Sequence, residues 1–203
     1  MNGAKPFVSI AGLIGAGKTT FAEKLAARLD VPVFYEPVSD NPYLADFYKD
    51  MAKYAYPMQT YLLCARSEQQ FVIGNEANGG VQDRTLYEDR IFARVLYESG
   101  YMSERDWNTY ETLFPLVEQS CYATPNVVVF LKVDPATALQ RIQKRNRACE
   151  KGITLEYLAS LNAHYDWLLS EINKHSQVIS VDWDSNEFDE SVIDDVCSLI
   201  KNI

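Results

Sequence analysis

The sequence of 203 residues predicts an α/β fold with a central parallel five-stranded sheet flanked by helices. Short runs of β-branched and aromatic residues alternate with longer segments in which apolar residues recur every three or four positions. Residues 127–131 are apolar at every position, a pattern typical of a parallel strand that helices cover on both faces. A glycine-rich segment joins the first strand to the first helix. These observations favour strands and helices in alternation, with right-handed crossovers.

Five short segments are predicted to be strands, at residues 7–11, 33–35, 79–82, 127–131 and 178–181. The segment at 79–82 is barely apolar, and it is included because a complete sheet needs a strand before Asp83. Helical spacing of apolar residues predicts helices at residues 18–29, 54–73, 86–98, 104–122 and 154–174, with others beginning near Pro135 and near residue 187.

Composition narrows the possible functions. No repeat or proline- and glycine-rich linker divides the chain, so residues 1–203 are expected to form one domain. The net charge of −9 disfavours a nucleic-acid partner, because such surfaces are basic. Four scattered cysteines and two histidines give neither zinc-ligand spacing nor a disulfide framework. The sequence shows no leader or membrane segment, and a cytoplasmic location is expected.

The glycine-rich segment matches the phosphate-binding pattern G-x-x-x-x-G-K-[ST] in Gly12, Leu13, Ile14, Gly15, Ala16, Gly17, Lys18 and Thr19. In this pattern, backbone amides and a helix N-terminus surround phosphate oxygens. Lys18 would reach the β- and γ-phosphates, the Thr19 hydroxyl would bind Mg²⁺, and Thr20 follows in the first helical turn. The pattern predicts an ATP or GTP site. Because the sequence contains no N-K-x-D or T-K-x-D motif for guanine, a small-molecule kinase is favoured over a regulatory GTPase.

A kinase acting on a hydroxyl needs a carboxylate near the acceptor and cations around the phosphoryl group. Glu36 follows the second predicted strand and Asp83-Arg84-Thr85 follows the third, which places both at the carboxyl edge of the sheet. Three arginines are candidates for a lid that closes on the nucleotide: Arg141, Arg145 and Arg147. From position alone, each group also has a simpler interpretation. Glu36 could be a solvated loop acid, Asp83 and Arg84 could form a surface ion pair, and the three arginines could belong to an exposed basic helix face.

Taken together and in order, these motifs resemble the deoxyribonucleoside kinase family, which includes deoxycytidine, deoxyguanosine and bacterial deoxyadenosine kinases. The resemblance covers residues 7–157 and is weaker beyond them. Besides the phosphate-binding loop and the arginine-rich segment, it rests on Glu36-Pro37-Val38, Gln59-Thr60-Tyr61 with Arg66, Asp83-Arg84-Thr85 with Asp89 and Phe92, and Glu150 with Gly152-Ile153-Thr154-Leu155-Glu156-Tyr157. It implies a P-loop kinase fold with a lid at about residues 141–152, and ATP and Mg²⁺ as cofactors.

The resemblance also implies a role for each candidate residue. Glu36 matches the family carboxylate near the sugar 5′-hydroxyl, whereas Asp83 would lie near Mg²⁺ with Thr19. Both carboxylates are candidates for the proton acceptor, and Glu36 is favoured. Arg84 matches the arginine between the 5′-oxygen and the phosphate. The other matches concern the nucleoside: Tyr48 and Glu150 at the 3′-hydroxyl, Gln59, Arg66 and Asp89 at the base edge, and Phe92 stacked on the base.

The same resemblance bears on the base. Thymidine-accepting members lack the pair formed here by Arg66 and Asp89, which favours purines and deoxycytidine. The loop Asp40-Asn41-Pro42-Tyr43 is similar to that of bacterial deoxyadenosine and deoxyguanosine kinases. The prediction is therefore a deoxyadenosine kinase of nucleotide salvage, with deoxyguanosine and deoxycytidine as open alternatives.

The base of the phosphate donor has separate candidate contacts in the last part of the chain, Trp183 or Phe188.

Family members are usually homodimers built on two long helices, which here would lie near residues 54–73 and 86–97.

Two rival functions stay open at this point. One is a nucleoside monophosphate kinase of the thymidylate-kinase type, although a phosphorylated acceptor needs its own basic site and the candidate pocket residues are mainly neutral or acidic. The other is a non-catalytic P-loop regulator that binds nucleotide without acceptor chemistry.

Overall fold

Five parallel strands form the central sheet. The computed structural model describes residues 5–37, 41–75, 77–120, 123–147, 150–184 and 189–202. The strands are β1 (Phe7–Ala11), β2 (Val33–Phe34), β3 (Gly80–Asp83), β4 (Val127–Lys132) and β5 (Gln177–Asp182). Their order across the sheet is β2-β3-β1-β4-β5, and each neighbouring pair is parallel. The predicted α/β fold is confirmed. The strands that follow β1 are added first on one side of it and then on the other, and this topological switch point beside β1 is where open sheets of this kind bind ligands.

Helices cover the sheet. Within the described residues they are α1 (Lys18–Leu29), α2 (Leu44–Lys49), α3 (Met51–Asn75), α4 (Glu88–Glu98), α5 (Glu104–Ser120), α6 (Pro135–Arg145), α7 (Leu155–Asn162), α8 (Tyr165–Ile172) and α9 (Glu190–Lys201). None of these helices is both long and apolar enough to cross a membrane.

Two hydrophobic clusters position the elements that carry the candidate site. The larger one surrounds β1 and β4, whose side chains are buried because helices pack on both faces of the sheet. The smaller one joins α3, α4 and α5 through residues such as Leu63, Leu96 and Phe114. Burying one such side chain stabilises the fold by about 1.5–3 kcal/mol. The second cluster thereby fixes α3 and α4 beside the carboxyl end of β3.

Strand β3 forms although its sequence is barely apolar, which confirms the prediction at this position. Gln82 is fully buried, and both ends of its amide are paired: Ser9 Oγ donates to Gln82 Oε1 at 3.1 Å, and Gln82 Nε2 donates to Gln69 Oε1 at 3.1 Å. A Cβ at Gly80 would lie 2.6 Å from the Phe34 ring, so glycine allows β2 and β3 to approach. Hydrogen bonding and close backbone approach replace apolar character in this strand.

The structure corrects several predicted boundaries. The single helix predicted at 154–174 is two helices, α7 and α8, because the chain turns at residues 163–164. The short helix α2 was not predicted, since six residues are too few to display a periodicity. The helix predicted at 104–122 reaches Ser120, and residues 121–122 lie outside the described part of the chain. Helix α9 begins at Glu190 rather than near 187, which is also outside the described residues.

Candidate active site

The phosphate-binding loop lies between β1 and α1 at the carboxyl edge of the sheet. Its Gly12 and Gly15 have backbone φ angles of +147° and +84°, values that residues with a side chain rarely adopt. A Cβ at Gly12 would lie 2.8 Å from the backbone oxygen of Leu131, and one at Gly15 would lie 2.5 Å from that of Ala138. Glycine is therefore required at both positions for the loop to pass close to β4 and α6.

Lys18, the first residue of α1, is buried beneath this loop. Its Nζ donates to the backbone oxygens of Gly12 and Leu13, each at 2.9 Å. Burial, followed by the charge of Arg84, lowers the pKa of Lys18 to about 8. At pH 7 this side chain is still mostly protonated, so the loop contains a buried cation of the kind that phosphate oxygens attract.

Glu36 is the centre of an ion network at the ends of β2 and β3. Its Oε1 accepts from Arg66 Nη2 at 2.8 Å and from Arg84 Nε at 2.8 Å. Burial alone would raise the pKa of Glu36, but the charges of Arg84 and Arg66 outweigh it and lower the pKa to about 2. Glu36 is therefore an anion at neutral pH, with its orientation fixed by two guanidinium groups.

Asp83 lies between this network and the phosphate-binding loop. Thr19 Oγ1 donates to Asp83 Oδ2 at 2.5 Å, which joins the end of β3 to the start of α1. The other carboxylate oxygen, Oδ1, is buried and has no hydrogen-bond partner within the described residues. Burial raises the pKa of Asp83, although the charge of Lys18 opposes this. An unpartnered carboxylate oxygen beside a hydroxyl is a donor set that suits Mg²⁺.

Arg66 connects Glu36 to Asp89, to which its Nη1 also donates. Both members of this second pair are almost fully buried. Burial raises the pKa of Asp89 to about 6, even though the Arg66 charge opposes the rise. Within the described residues, Asp89 Oδ2 and Gln59 Oε1 are each buried without a hydrogen-bond partner. Gln59 lines the cavity described below, so its oxygen is an acceptor that a ligand with N–H groups would satisfy.

A cavity of about 660 Å³ brings most of the predicted site residues together. Those that line it are Ile14, Gly15, Gly17, Lys18, Thr19, Thr20, Glu36, Tyr48, Gln59, Asp83, Arg84, Phe92, Arg145, Arg147 and Glu150. Six predicted site residues are not among its lining residues: Gly12, Leu13, Ala16, Arg66, Asp89 and Arg141. Of these, Arg66 and Asp89 lie behind Glu36. Phe92 faces the cavity with the Arg84 guanidinium 4.7 Å from the centre of its ring.

The predicted lid, at about residues 141–152, begins within the last turns of α6 and continues beyond it. Arg145 Nη2 donates to Glu150 Oε2 at 2.7 Å, and Arg147 Nη1 lies 3.5 Å from Glu150 Oε1. Arg141 has a different environment, because it donates to the backbone oxygens of Ala16 and Trp183 at 3.3 and 2.7 Å. Residues 148–149, within the predicted lid, are outside the described part of the chain.

Some predictions concern residues at the margin of the site. The Trp183 ring packs edge-on against Phe21 with centroids 5.3 Å apart, beside the phosphate-binding loop. Val38, Asp40 and Phe188 lie outside the described residues. Sequence reasoning missed several lining residues of the cavity: Tyr35, Asn41, Leu44, Phe47, Met58, Leu62 and Tyr157. Most of them lie on helices or loops whose pattern shows only that they are apolar.

Sequence reasoning also missed Glu88, the most connected carboxylate of the site. It is fully buried and accepts hydrogen bonds from Gly12, Arg84, Thr85 and Tyr165. The spacing Thr85-x-x-Glu88 is a capping-box pattern at the start of a helix, so a signal was present in the sequence. That signal predicts a helix start and gives no indication of the contacts to the phosphate-binding loop.

A parallel sheet, a phosphate-binding loop that opens α1 and a carboxylate–arginine network at the same sheet edge define a P-loop kinase. The deoxynucleoside kinase family model matches residues 8–203, and the chain belongs to that family of phosphotransferases. The comparisons therefore confirm the predicted family and do not favour a thymidylate-kinase-type enzyme or a non-catalytic regulator.

Individual relatives agree with this assignment. The chain is 47% identical to a deoxyadenosine kinase of Dictyostelium discoideum over 87% of its length and 71% of the relative. It is 35% identical to a deoxyadenosine/deoxycytidine kinase of Bacillus subtilis (strain 168), over 82% of this chain and 77% of that one. The solved structure of deoxyadenosine kinase from M. mycoides with bound dCTP is similar, with a TM-score of 0.84, 32% identity and coverage of 97% and 99%.

Proposed function

We propose that the protein transfers the γ-phosphoryl group of ATP to the 5′-hydroxyl of deoxyadenosine. The observation that carries this proposal is the position of Glu36, which faces the same cavity as Lys18, Thr19 and Asp83. A carboxylate fixed by two arginines on the acceptor side and a phosphate-binding loop on the donor side are the groups that phosphoryl transfer to a hydroxyl requires.

In the proposed reaction, Glu36 accepts a hydrogen bond from the 5′-hydroxyl and orients its oxygen toward the γ-phosphorus. The new bond forms between that oxygen and phosphorus, while the bond from phosphorus to the β–γ bridging oxygen breaks and ADP leaves. The hydroxyl proton passes to Glu36 and then to water. A carboxylate with a pKa of about 2 is a weak base, which suffices because the hydroxyl becomes acidic only as the new bond forms.

Arg84 has a second role in this proposal. Its Nε is occupied by Glu36, and the guanidinium also faces the cavity, so it can bridge the 5′-oxygen and the transferred phosphoryl group. Lys18 would neutralise the β- and γ-phosphates from the loop side. The lid residues Arg141, Arg145 and Arg147 would contact the donor from the opposite side. Cations that are fixed before the reaction stabilise the developing charge without reorganisation.

Thr19 and Asp83 would hold Mg²⁺, and the unpartnered Asp83 Oδ1 supports this assignment. When bound, the ion neutralises charge on the β- and γ-phosphate oxygens. The Asp83 carboxylate then has a metal-binding role, and its hydrogen bond from Thr19 keeps it at the loop. This division favours Glu36 over Asp83 as the group that receives the proton.

On the acceptor side, Tyr48 and Glu150 would hold the sugar 3′-hydroxyl, and Phe92 would stack on the base. Gln59 would recognise the base edge, and the pair of Arg66 and Asp89 would support this side of the cavity from behind Glu36. Gln59 lines the cavity, and its unpartnered Oε1 is an acceptor that the exocyclic amine of adenine can satisfy. Deoxyadenosine is further supported by the 47% identical relative, which is a deoxyadenosine kinase.

The test is an ADP-release assay with ATP and Mg²⁺ on purified protein. Deoxyadenosine, deoxyguanosine, deoxycytidine and thymidine are compared as acceptors, with thymidylate and adenylate as controls. We expect turnover with deoxyadenosine to be fastest and none with the monophosphates. Lys18→Ala serves as the matched control for contaminating kinases, because it removes only the loop cation. Turnover restricted to the monophosphates would contradict the proposal.

We also propose that the protein is a cytoplasmic homodimer, with α3 and α5 at the interface. Of the two helices expected from the family, α4 has its apolar residues Ile91, Val95 and Leu96 buried within the chain. Exposed apolar side chains lie instead on α3, at Phe71, and on α5, at Leu116. Sedimentation velocity should give a species of twice 23.1 kDa, and Leu116→Glu should shift it toward monomer. A monomer at all protein concentrations would contradict this arrangement.

A further inference from the structure

Glu88 is fully buried at the start of α4, and its two carboxylate oxygens have different partners. Oε2 accepts from the Thr85 backbone N–H at 2.9 Å, while Thr85 Oγ1 accepts from the Glu88 N–H at 3.1 Å. These reciprocal bonds form a capping box, which stabilises the first turn of the helix. Oε2 alone performs this function, so the capping box leaves the contacts of Oε1 unexplained.

The second oxygen, Oε1, contacts residues from three parts of the chain, two of which are distant in sequence. It accepts from the Gly12 N–H at 2.9 Å, from Arg84 Nη1 at 3.1 Å and from the Tyr165 hydroxyl at 2.7 Å. Gly12 begins the phosphate-binding loop, Arg84 directly follows β3 and Tyr165 begins α8. One buried oxygen therefore connects the donor side of the cavity to the acceptor side.

Arg84 requires such support for two reasons. Its backbone φ is +77°, a strained conformation for a residue with a side chain, which persists only where the surroundings enforce it. Its guanidinium carries a buried charge, and Glu36 and Glu88 contact different nitrogens of it. Glu88 thus holds both the guanidinium of Arg84 and, through Thr85, the peptide that follows it.

Tyr165 keeps its proton in this environment. Burial and then the charge of Glu88 raise the pKa of Tyr165 well above its ordinary value. The phenol is therefore a permanent donor to Oε1, and it adds α8 to the elements that Glu88 connects. A buried carboxylate with every contact satisfied in this way is rigid, because moving it would leave at least one donor unpaired.

We propose that Glu88 is a positioning residue for phosphoryl transfer, one that fixes Arg84 relative to the first glycine of the phosphate-binding loop. This inference rests on the proposed function and adds a residue to it. Glu88 does not line the cavity, so it acts through Arg84 and Gly12 rather than on the substrates. Its loss should lower the rate of the chemical step more than it weakens nucleoside binding.

The experiment compares Glu88→Gln, which retains the shape and the capping contact, with Tyr165→Phe, which removes one donor to Oε1. We expect Glu88→Gln to lower kcat about 30-fold and Tyr165→Phe about threefold, with the KM for deoxynucleoside changed less than about twofold. Glu111→Gln is the matched control, because Glu111 also pairs with an arginine, Arg90, on a neighbouring helix. Its kcat should equal that of the wild type.

A double-mutant cycle distinguishes positioning from a purely structural role. When Arg84→Lys is already present, adding Glu88→Gln should lower kcat by less than about threefold, because Glu88 acts through the arginine that has been replaced. Equal losses in both backgrounds, or wild-type kcat in both Glu88→Gln and Tyr165→Phe, would overturn the proposal. If Glu88→Gln does not fold, the kcat of Tyr165→Phe alone tests the proposal: a value about threefold below the wild type supports it, and an unchanged value contradicts it. Wild-type protein without any deoxynucleoside turnover would contradict the proposed function instead, so the two failures are distinguishable.

Discussion

The arginines around the cavity fall into two groups that differ in burial although the side chain is the same. Arg66 and Arg84 are 1% and 3% exposed, and each contacts two carboxylates. Arg145 and Arg147 are 36% and 48% exposed and share the single carboxylate of Glu150. A buried pair keeps its geometry because breaking it leaves an uncompensated charge, whereas an exposed pair is worth about 0–1 kcal/mol. The buried arginines are therefore fixed as part of the fold, whereas the more exposed arginines of the proposed lid can exchange partners.

The largest effect is expected from Arg84→Ala, which removes the most connected cation of the buried group. Glu36 and Glu88 would lose a shared partner, and unfolding free energy should fall by about 3–5 kcal/mol. Loss of the cation near the transferred group should lower kcat by about 1000-fold. Urea unfolding and steady-state kinetics measure the two quantities separately.

Arg84→Lys is the conservative variant for this prediction. Lysine keeps the charge but cannot contact two carboxylates through a planar fork. We expect it to recover most of the stability and to leave kcat at least about tenfold below the wild type. If Arg84→Ala were no more harmful than a lid substitution, the distinction between the two groups of arginines would be wrong.

The second effect concerns pH. The folded protein lowers the pKa of Glu36 from 4.5 to about 2. The contribution of this carboxylate to the free energy of unfolding is therefore complete above pH 4.5 and is lost as pH falls toward 2. The shift corresponds to about 3 kcal/mol at neutral pH, of which about 2 should be lost by pH 3. The difference in unfolding free energy between wild type and Glu36→Gln should therefore shrink between pH 6 and pH 3. Curves that stay parallel would show that folding does not lower the pKa of Glu36.

The phosphate-binding loop and the sheet were predictable because they rest on local rules. Gly12 and Gly17 occur at fixed offsets from Lys18, and β1 and β4 are apolar except at Ser9 and Lys132. The weak strand β3 was placed only because the sheet needed it. Its stability comes from the pairing of Gln82 with side chains that are distant in sequence, and no local pattern contains that information.

The network around Arg84 was predictable in its members but not in its connections. Glu36 was identified from its place after a predicted strand, and Arg66 and Asp89 were identified from the family resemblance. Their common contacts depend on how α3 packs against α4. Glu88 was missed because its capping-box spacing already had a sufficient local explanation. A residue with two functions displays only the local one in its sequence.

The smallest effects are expected from the exposed group, and they sharpen the comparison most. Arg145→Ala removes the better of the two pairs with Glu150, yet unfolding free energy should change by less than about 1 kcal/mol, since the guanidinium is 36% exposed and Arg147 still pairs with Glu150. If the lid exchanges Glu150 for the phosphates of ATP, kcat/KM for ATP should fall about tenfold, and Arg147→Ala, whose contact is longer at 3.5 Å, should lower it less. Glu98→Gln, which weakens the contacts of an exposed carboxylate with Arg94 and His164, is the control and should change neither quantity. A stability loss for Arg145→Ala as large as that for Arg84→Ala would mean that the lid is as rigid as the buried network, and that closure over the donor requires more than an exchange of partners.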